Sequence, residues 1–186
     1  MSISVYTIGH STRSLEDFIA LLHREGIRAL VDVRAFPRSR RYPHFNQDAL
    51  AAALASHDVA YRHEPALGGR RRPRPDSPNG AWRNESFRAY ADYMGTAPFR
   101  EAITRLIAGA AEVRTTIMCA EAVPWRCHRS LIADALVARG CEVHHVLDAT
   151  TERHALMNIA RVENGEVTYP PADAPVPPQT ELFRAG

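Results

Sequence analysis

The sequence predicts a single α/β domain with a mostly parallel five-stranded sheet and helices on both faces, plus a long basic loop and a Pro-rich C-terminal tail. Three observations carry that expectation. Short β-branched runs alternate with amphipathic stretches along the chain. Ala29-Leu30-Val31-Asp32-Val33 is almost continuously apolar, as strands covered on both faces are. A chain of 186 residues with 45% hydrophobic content can bury a core without disulfides or a metal.

Val5-Tyr6-Thr7-Ile8, closed by Gly9, reads as the first strand. Ser14 with Asp17 three residues on forms a capping-box pattern, and Leu15, Phe18, Ile19, Leu21 and Leu22 follow at helical spacing up to Gly26. Ala29 to Val33 is the second strand. Pro37 and Pro43 bracket a loop, Gln47 to Ala55 is a helix, and Val59 to His63 a third strand. Glu64 to Glu85 reads as a loop punctuated by glycine and proline, longer than a compact domain usually carries without a purpose. Helices are expected at Ser86–Met94 and Pro98–Ala108, a strand at Thr115–Cys119, a helix from Cys127 to Arg139, and a strand at Glu142–Leu147. The domain is therefore placed at residues 1–148, a C-terminal extension at 149–169, and a Pro-rich tail at 170–186.

All 23 basic residues are arginine. A lysine Schiff base, a Walker-type phosphate lysine and a lysine general base are thereby excluded. The net charge of +2 conceals an asymmetry: from Arg34 to Arg88 there are eleven arginines against five acids, and the remainder is acidic. One basic surface facing an anion is the expectation. Three cysteines are too few, and odd in number, for a disulfide framework. With no apolar run long enough to span a bilayer and no leader pattern at Met1-Ser2-Ile3, a cytoplasmic protein with no membrane partner is expected.

In a parallel sheet, ligands bind beyond the carboxyl ends of the strands, where the loops face one crevice. The first strand delivers His10 and Ser11 there, the second Asp32 and Arg34, and the fourth Cys119 and Glu121. Cys127, His128, Arg129 and Ser130 follow at the next helix start. A helix N-terminus favours anions and lowers a thiol's pKa, so Arg34 and Arg129 are candidate anion clamps, with Ser11, Glu121 and Ser130 alongside them. Cys119 and Cys127 are candidate nucleophiles or thiol ligands, His10 and His128 candidate acid/base groups, and Asp32 the orienting carboxylate. Zinc binding is a rival use of Cys119, Cys127, His128 and His10, although their spacing matches no familiar short hook. Cys141 reads as structural. A weak likeness to sulfurtransferases and cysteine phosphatases fails on spacing, because Arg126 follows Cys119 after six residues instead of five.

Five segments together carry a closer resemblance: Thr7-Ile8-Gly9-His10-Ser11, Leu30-Val31-Asp32-Val33-Arg34 with Pro37, Leu67-Gly68-Gly69, Tyr90-Ala91-Asp92-Tyr93-Met94, and Met118-Cys119-Ala120-Glu121 with Cys127-His128-Arg129. In this order, over roughly residues 5–148, they resemble the domain of unknown function 488 family. The resemblance implies a bacterial or archaeal cytosolic protein with an α/β domain and no settled activity. Its motif residues are those that the strand-end argument selects independently.

Two further segments suggest partners. Arg70, Arg71, Arg72 and Arg74, with Trp82 downstream, form a basic arm suited to phosphate contacts and base stacking. Gln179-Thr180-Glu181-Leu182-Phe183 resembles the peptide by which bacterial repair and replication proteins dock on the sliding clamp, with Gln179, Leu182 and Phe183 as its anchors. The leading reading is an enzyme acting on an anionic, phosphate-bearing substrate, a nucleic acid or a nucleotide. A non-catalytic DNA-binding or repair adaptor is the alternative, and a zinc-binding protein the third. No cofactor is assigned by these patterns.

Overall fold

The computed structural model describes residues 2–174. In chain order its elements are β1 (Ser4–Gly9), α1 (Leu15–Arg24), β2 (Ala29–Asp32), α2 (Gln47–Ala55), β3 (Ala60–His63), α3 (Glu85–Met94), α4 (Ala97–Glu112), β4 (Thr115–Cys119), α5 (Arg129–Val137), β5 (Glu142–Val146), β6 (Thr151–Arg153), β7 (Arg161–Glu163) and β8 (Glu166–Thr168). Six strands form one sheet in the order β3-β2-β4-β1-β5-β6. The first five are parallel and β6 is antiparallel to β5. The α/β class and the mostly parallel sheet are as expected, with one more strand.

Each face of the sheet has its own core, because successive side chains on a strand point to opposite sides. Tyr6, Leu30 and Met118 join Phe18 and Leu22 of α1 and Leu50 and Leu54 of α2. Val5, Val31 and Ile117 join Tyr90 of α3, Ile103 and Leu106 of α4, and Leu131 and Ile132 of α5. Ser14 caps α1 by accepting from the Asp17 N–H, as its spacing predicts.

This layering places the site. The chain leaves β1 and β2 toward the α1/α2 face but leaves β4 toward the α5 face, and β4 lies between β1 and β2. Loops diverging from neighbouring strands open a crevice at their carboxyl ends.

Two features differ from the expectation. The helix expected from Cys127 begins only at Arg129, because Pro124–Arg126 form a 3-10 turn and Cys127 is extended (φ −139°, ψ 149°). The extension after Leu147 supplies β6 at the sheet edge and the β7-β8 hairpin. Thr151-Glu152-Arg153 is short and fully exposed, so no hydrophobic alternation marks it. The hairpin did carry a signal: Asn164 and Gly165, both at positive φ (52° and 78°), form the Asn-Gly turn that joins two short strands. Among the described residues no helix is long and apolar enough to cross a membrane. Cys119, Cys127 and Cys141 are all free thiols, and all are buried.

Candidate active site

The crevice is a cavity of about 890 Å³ lined by residues from all three strand ends. His10 and Ser11 follow β1, Arg34 follows β2, and Cys119, Glu121, Cys127 and His128 surround the β4–α5 connection. These seven sequence-selected residues therefore share one wall system. Ser11 takes a left-handed φ of 50°, which turns the chain sharply away from β1.

Two thiols and an imidazole form its floor. His128 Nδ1 lies 3.5 Å from Cys127 Sγ and 4.0 Å from Cys119 Sγ. The other ring nitrogen, Nε2, lies 3.0 Å from the Val33 carbonyl oxygen. A carbonyl can only accept, so Nε2 carries the proton and the Nδ1 side of the ring is turned to both sulfurs. Gly69 makes room for the ring, since a Cβ there would stand 2.7 Å from Nδ1. Tyr90 packs edge-on against the ring at 5.0 Å, held by its hydroxyl donating to the Leu67 carbonyl at 2.8 Å. The two thiols perturb each other's ionisation. Their mutual interaction, with the Arg129 guanidinium nearby, pulls the Cys127 thiol well below its usual range, and the same interaction with burial pushes Cys119 above it.

His10 and Arg34 form the second wall. Asp32 is fully buried and grips the Arg34 guanidinium in a fork, Nε to Oδ1 at 2.9 Å and Nη2 to Oδ2 at 2.6 Å. The same carboxylate accepts from the Tyr61 hydroxyl at 2.7 Å. His10 is stacked on Phe45 with centroids 4.3 Å apart, and its Nδ1 donates to the Ser11 carbonyl at 2.9 Å. Burial lowers its pKa to about 4, so the ring is neutral near pH 7.

Other expected residues stand elsewhere. Arg129 is 1% exposed and does not line the cavity. Its Nη2 donates inward to the Glu121 carbonyl at 2.5 Å, which ties it to the β4–α5 loop. Gly9 permits this approach, because any Cβ would overlap the Glu121 carbonyl. Ser130 is likewise buried, donating to the Cys127 carbonyl at 2.9 Å. Of the basic arm only Arg70 lines the cavity, 5.2 Å from the Phe36 ring centroid. Arg71 lies over the Tyr93 ring at 3.5 Å and bonds the Gly68 carbonyl, Arg74 is paired with Asp76, and Arg72 is exposed away from the cavity. Trp82 is half-buried and packs on Phe87 and Tyr169. Gln179, Leu182 and Phe183 lie outside the described residues.

The cavity also contains residues that strand-end reasoning missed: Arg38, Arg41, Tyr42, Phe36 and Arg126. The charge asymmetry after Arg34 was the signal for the first two. Among the described residues Arg38, Arg41, Arg70 and Arg126 have no carboxylate partner, whereas Arg13, Arg24, Arg74 and Arg105 are each matched to one. Glu121 is the cavity's one acidic side chain.

The family model described as Domain of unknown function DUF488 matches residues 14–136. No curated protein and no solved structure matches the chain.

Proposed function

The chain belongs to the DUF488 family, and on the chemistry of its cavity we propose that it is an enzyme acting on a phosphate-bearing anion, a nucleotide or a nucleic acid strand. The observation that carries this reading is the cavity lining: five arginines and one carboxylate around a thiol–imidazole floor. Among the described residues four of those guanidiniums have no carboxylate or hydrogen-bond partner, so their hydrogen-bonding forks are open to phosphate oxygens. Arg34, already gripped by Asp32, contributes a rigid N–H beside His10. Phe36, 66% exposed, and Tyr42 offer ring faces on which a base can stack, each with an arginine close by. The reacting end of the substrate would then point at Cys119, Cys127 and His128. A volume of about 890 Å³ suits a ligand of nucleotide size or larger.

The adaptor reading draws less support, because Arg71 and Trp82 pack on aromatic rings of the protein and Arg74 is paired with Asp76 on the surface. One experiment tests both. Fluorescence anisotropy with a labelled single-stranded oligonucleotide should show binding that weakens steeply between about 50 and 200 mM salt. Replacing Arg38, Arg41 and Arg126 together by Ala should weaken it at least tenfold and flatten the salt slope. Absence of binding at low salt, for oligonucleotide and nucleotides alike, overturns the reading.

A further inference from the structure

We propose that Cys119, Cys127 and His128 bind a zinc ion, with its fourth coordination position open to the cavity. Metal content and oligonucleotide affinity are separate measurements, so this assignment goes beyond the anion-binding reading and does not rest on it.

The argument is geometric. The two sulfurs and the imidazole nitrogen all lie within 4.8 Å of one another, with Nδ1 3.5 Å from Cys127 Sγ and 4.0 Å from Cys119 Sγ. A tetrahedral zinc with bonds of about 2.3 Å to sulfur and about 2.0–2.1 Å to nitrogen needs ligand–ligand edges of roughly 3.5–3.8 Å. Closing on an ion therefore takes shifts of up to about an ångström. A metal-binding imidazole is normally oriented by a hydrogen bond from its other nitrogen, and the Val33 carbonyl supplies that bond at 3.0 Å. Gly69 leaves the ring its space. Two thiolates and an imidazole are a soft-to-borderline donor set, which selects zinc over magnesium or calcium.

Three protein ligands make an open site, not a closed structural one. All three line the cavity, so a fourth position would open into it. A water held there would lose its proton near neutral pH and could add to an electrophilic carbon or phosphorus, with the leaving group taking up the proton. Hydrolysis is the reaction class such a site would serve.

The sequence disguised this arrangement. Cys127 and His128 are adjacent, and adjacent residues within a helix diverge by about 100°. Here Cys127 is extended and His128 opens the helix (φ −59°, ψ −11°), which lets both side chains reach one point.

The test uses the full chain without an affinity tag, equilibrated with zinc and then freed of excess ion. Elemental analysis should find about one zinc per chain. Cys119→Ser and Cys127→Ser should each lose most of it, whereas Cys141→Ser should retain it. Cobalt in place of zinc should give a thiolate-to-cobalt charge-transfer band in the near ultraviolet and the visible bands of a tetrahedral ion. Should the serine variants fail to fold, the unmodified protein decides: zinc must protect Cys119 and Cys127, but not Cys141, from alkylation after brief partial unfolding. Less than about a tenth of an ion per chain, with no cobalt–thiolate band, overturns the proposal. So does recovery of a Cys119–Cys127 disulfide as the stable, metal-free form.

Discussion

Two buried polar clusters flank the core, and they are built on opposite principles. Beneath the cavity, Cys119, Cys127 and His128 have spare coordinating capacity, and the neighbouring Arg129 Nε has no hydrogen-bond partner. Across α5, Thr7, His145, His154, Asp134 and Tyr169 form a chain in which every proton is accounted for. His154 Nε2 donates to Asp134 Oδ1 at 2.8 Å, which makes His154 Nδ1 the acceptor from His145 Nε2 at 2.9 Å. His145 Nδ1 must then accept from the Thr7 hydroxyl at 2.8 Å. The Tyr169 hydroxyl takes the other oxygen of Asp134 at 2.8 Å. One carboxylate thus sets the direction of the whole chain and ties the C-terminal extension to α5. A satisfied buried network holds a structure together, and an incompletely satisfied one at a cavity floor is where a ligand or a reaction belongs.

Breaking the closed cluster should have the largest effect. Asp134→Ala removes the acceptor for His154, Tyr169 and the Met157 N–H, and leaves all three without it. The expected loss is about 3–5 kcal/mol of stability, read by denaturant unfolding. Cys119→Ser in the metal-free protein should cost under about 1.5 kcal/mol. If the two values were reversed, the contrast would fail.

The open cluster should be damaged without being touched. Gly69→Ala puts a methyl group 2.7 Å from His128 Nδ1 and forces the ring to move. Zinc affinity measured by chelator competition should drop roughly 10- to 100-fold, as when an orienting partner is lost. The melting temperature should change far less than with Asp134→Ala.

Acid should expose the closed cluster next. Burial lowers the His145 pKa to about 3, against about 6.5 in the unfolded chain. Above pH 6.5 the ring is neutral in both states and costs nothing. Between pH 6.5 and about 3 the unfolded chain binds the proton and the folded one does not, so stability falls as pH falls, by at most about 1.4 kcal/mol per pH unit from this group. His145→Gln should flatten unfolding curves across that window.

The smallest effect marks the arm's limits. Arg74 and Asp76 form an exposed ion pair, and Arg74→Ala should leave the denaturant midpoint unchanged, because solvent screens such a pair. It should also leave oligonucleotide affinity unchanged, because Arg74 lies outside the cavity. A tenfold loss would restore the arm as a nucleic-acid surface.

Much of this was legible in the chain alone. The period-two and helical patterns located the five parallel strands and all five helices within a few residues. The rule that chemistry gathers at strand carboxyl ends brought His10, Ser11, Arg34, Cys119, Glu121, Cys127 and His128 to one cavity. What periodicity lacked was side-chain direction. Arg129 and Ser130 were chosen by position and turn inward, because the β4–α5 loop needs their donors. The edge strand β6 and the bonds of Asp134 depend on partners far away in sequence, which no local pattern reports.

The sequence by itself determined the fold class, the edge of the sheet where reactive groups collect, and the cationic character of that edge, since each follows from local pattern and composition. Only the tertiary structure decided that His128 would aim one nitrogen at two sulfurs. That orientation is set by the Val33 carbonyl, 95 residues earlier in the chain, and by the missing side chain of Gly69. Direction at a site is a property of packing and long-range hydrogen bonds, and these exist only once the strands have come together.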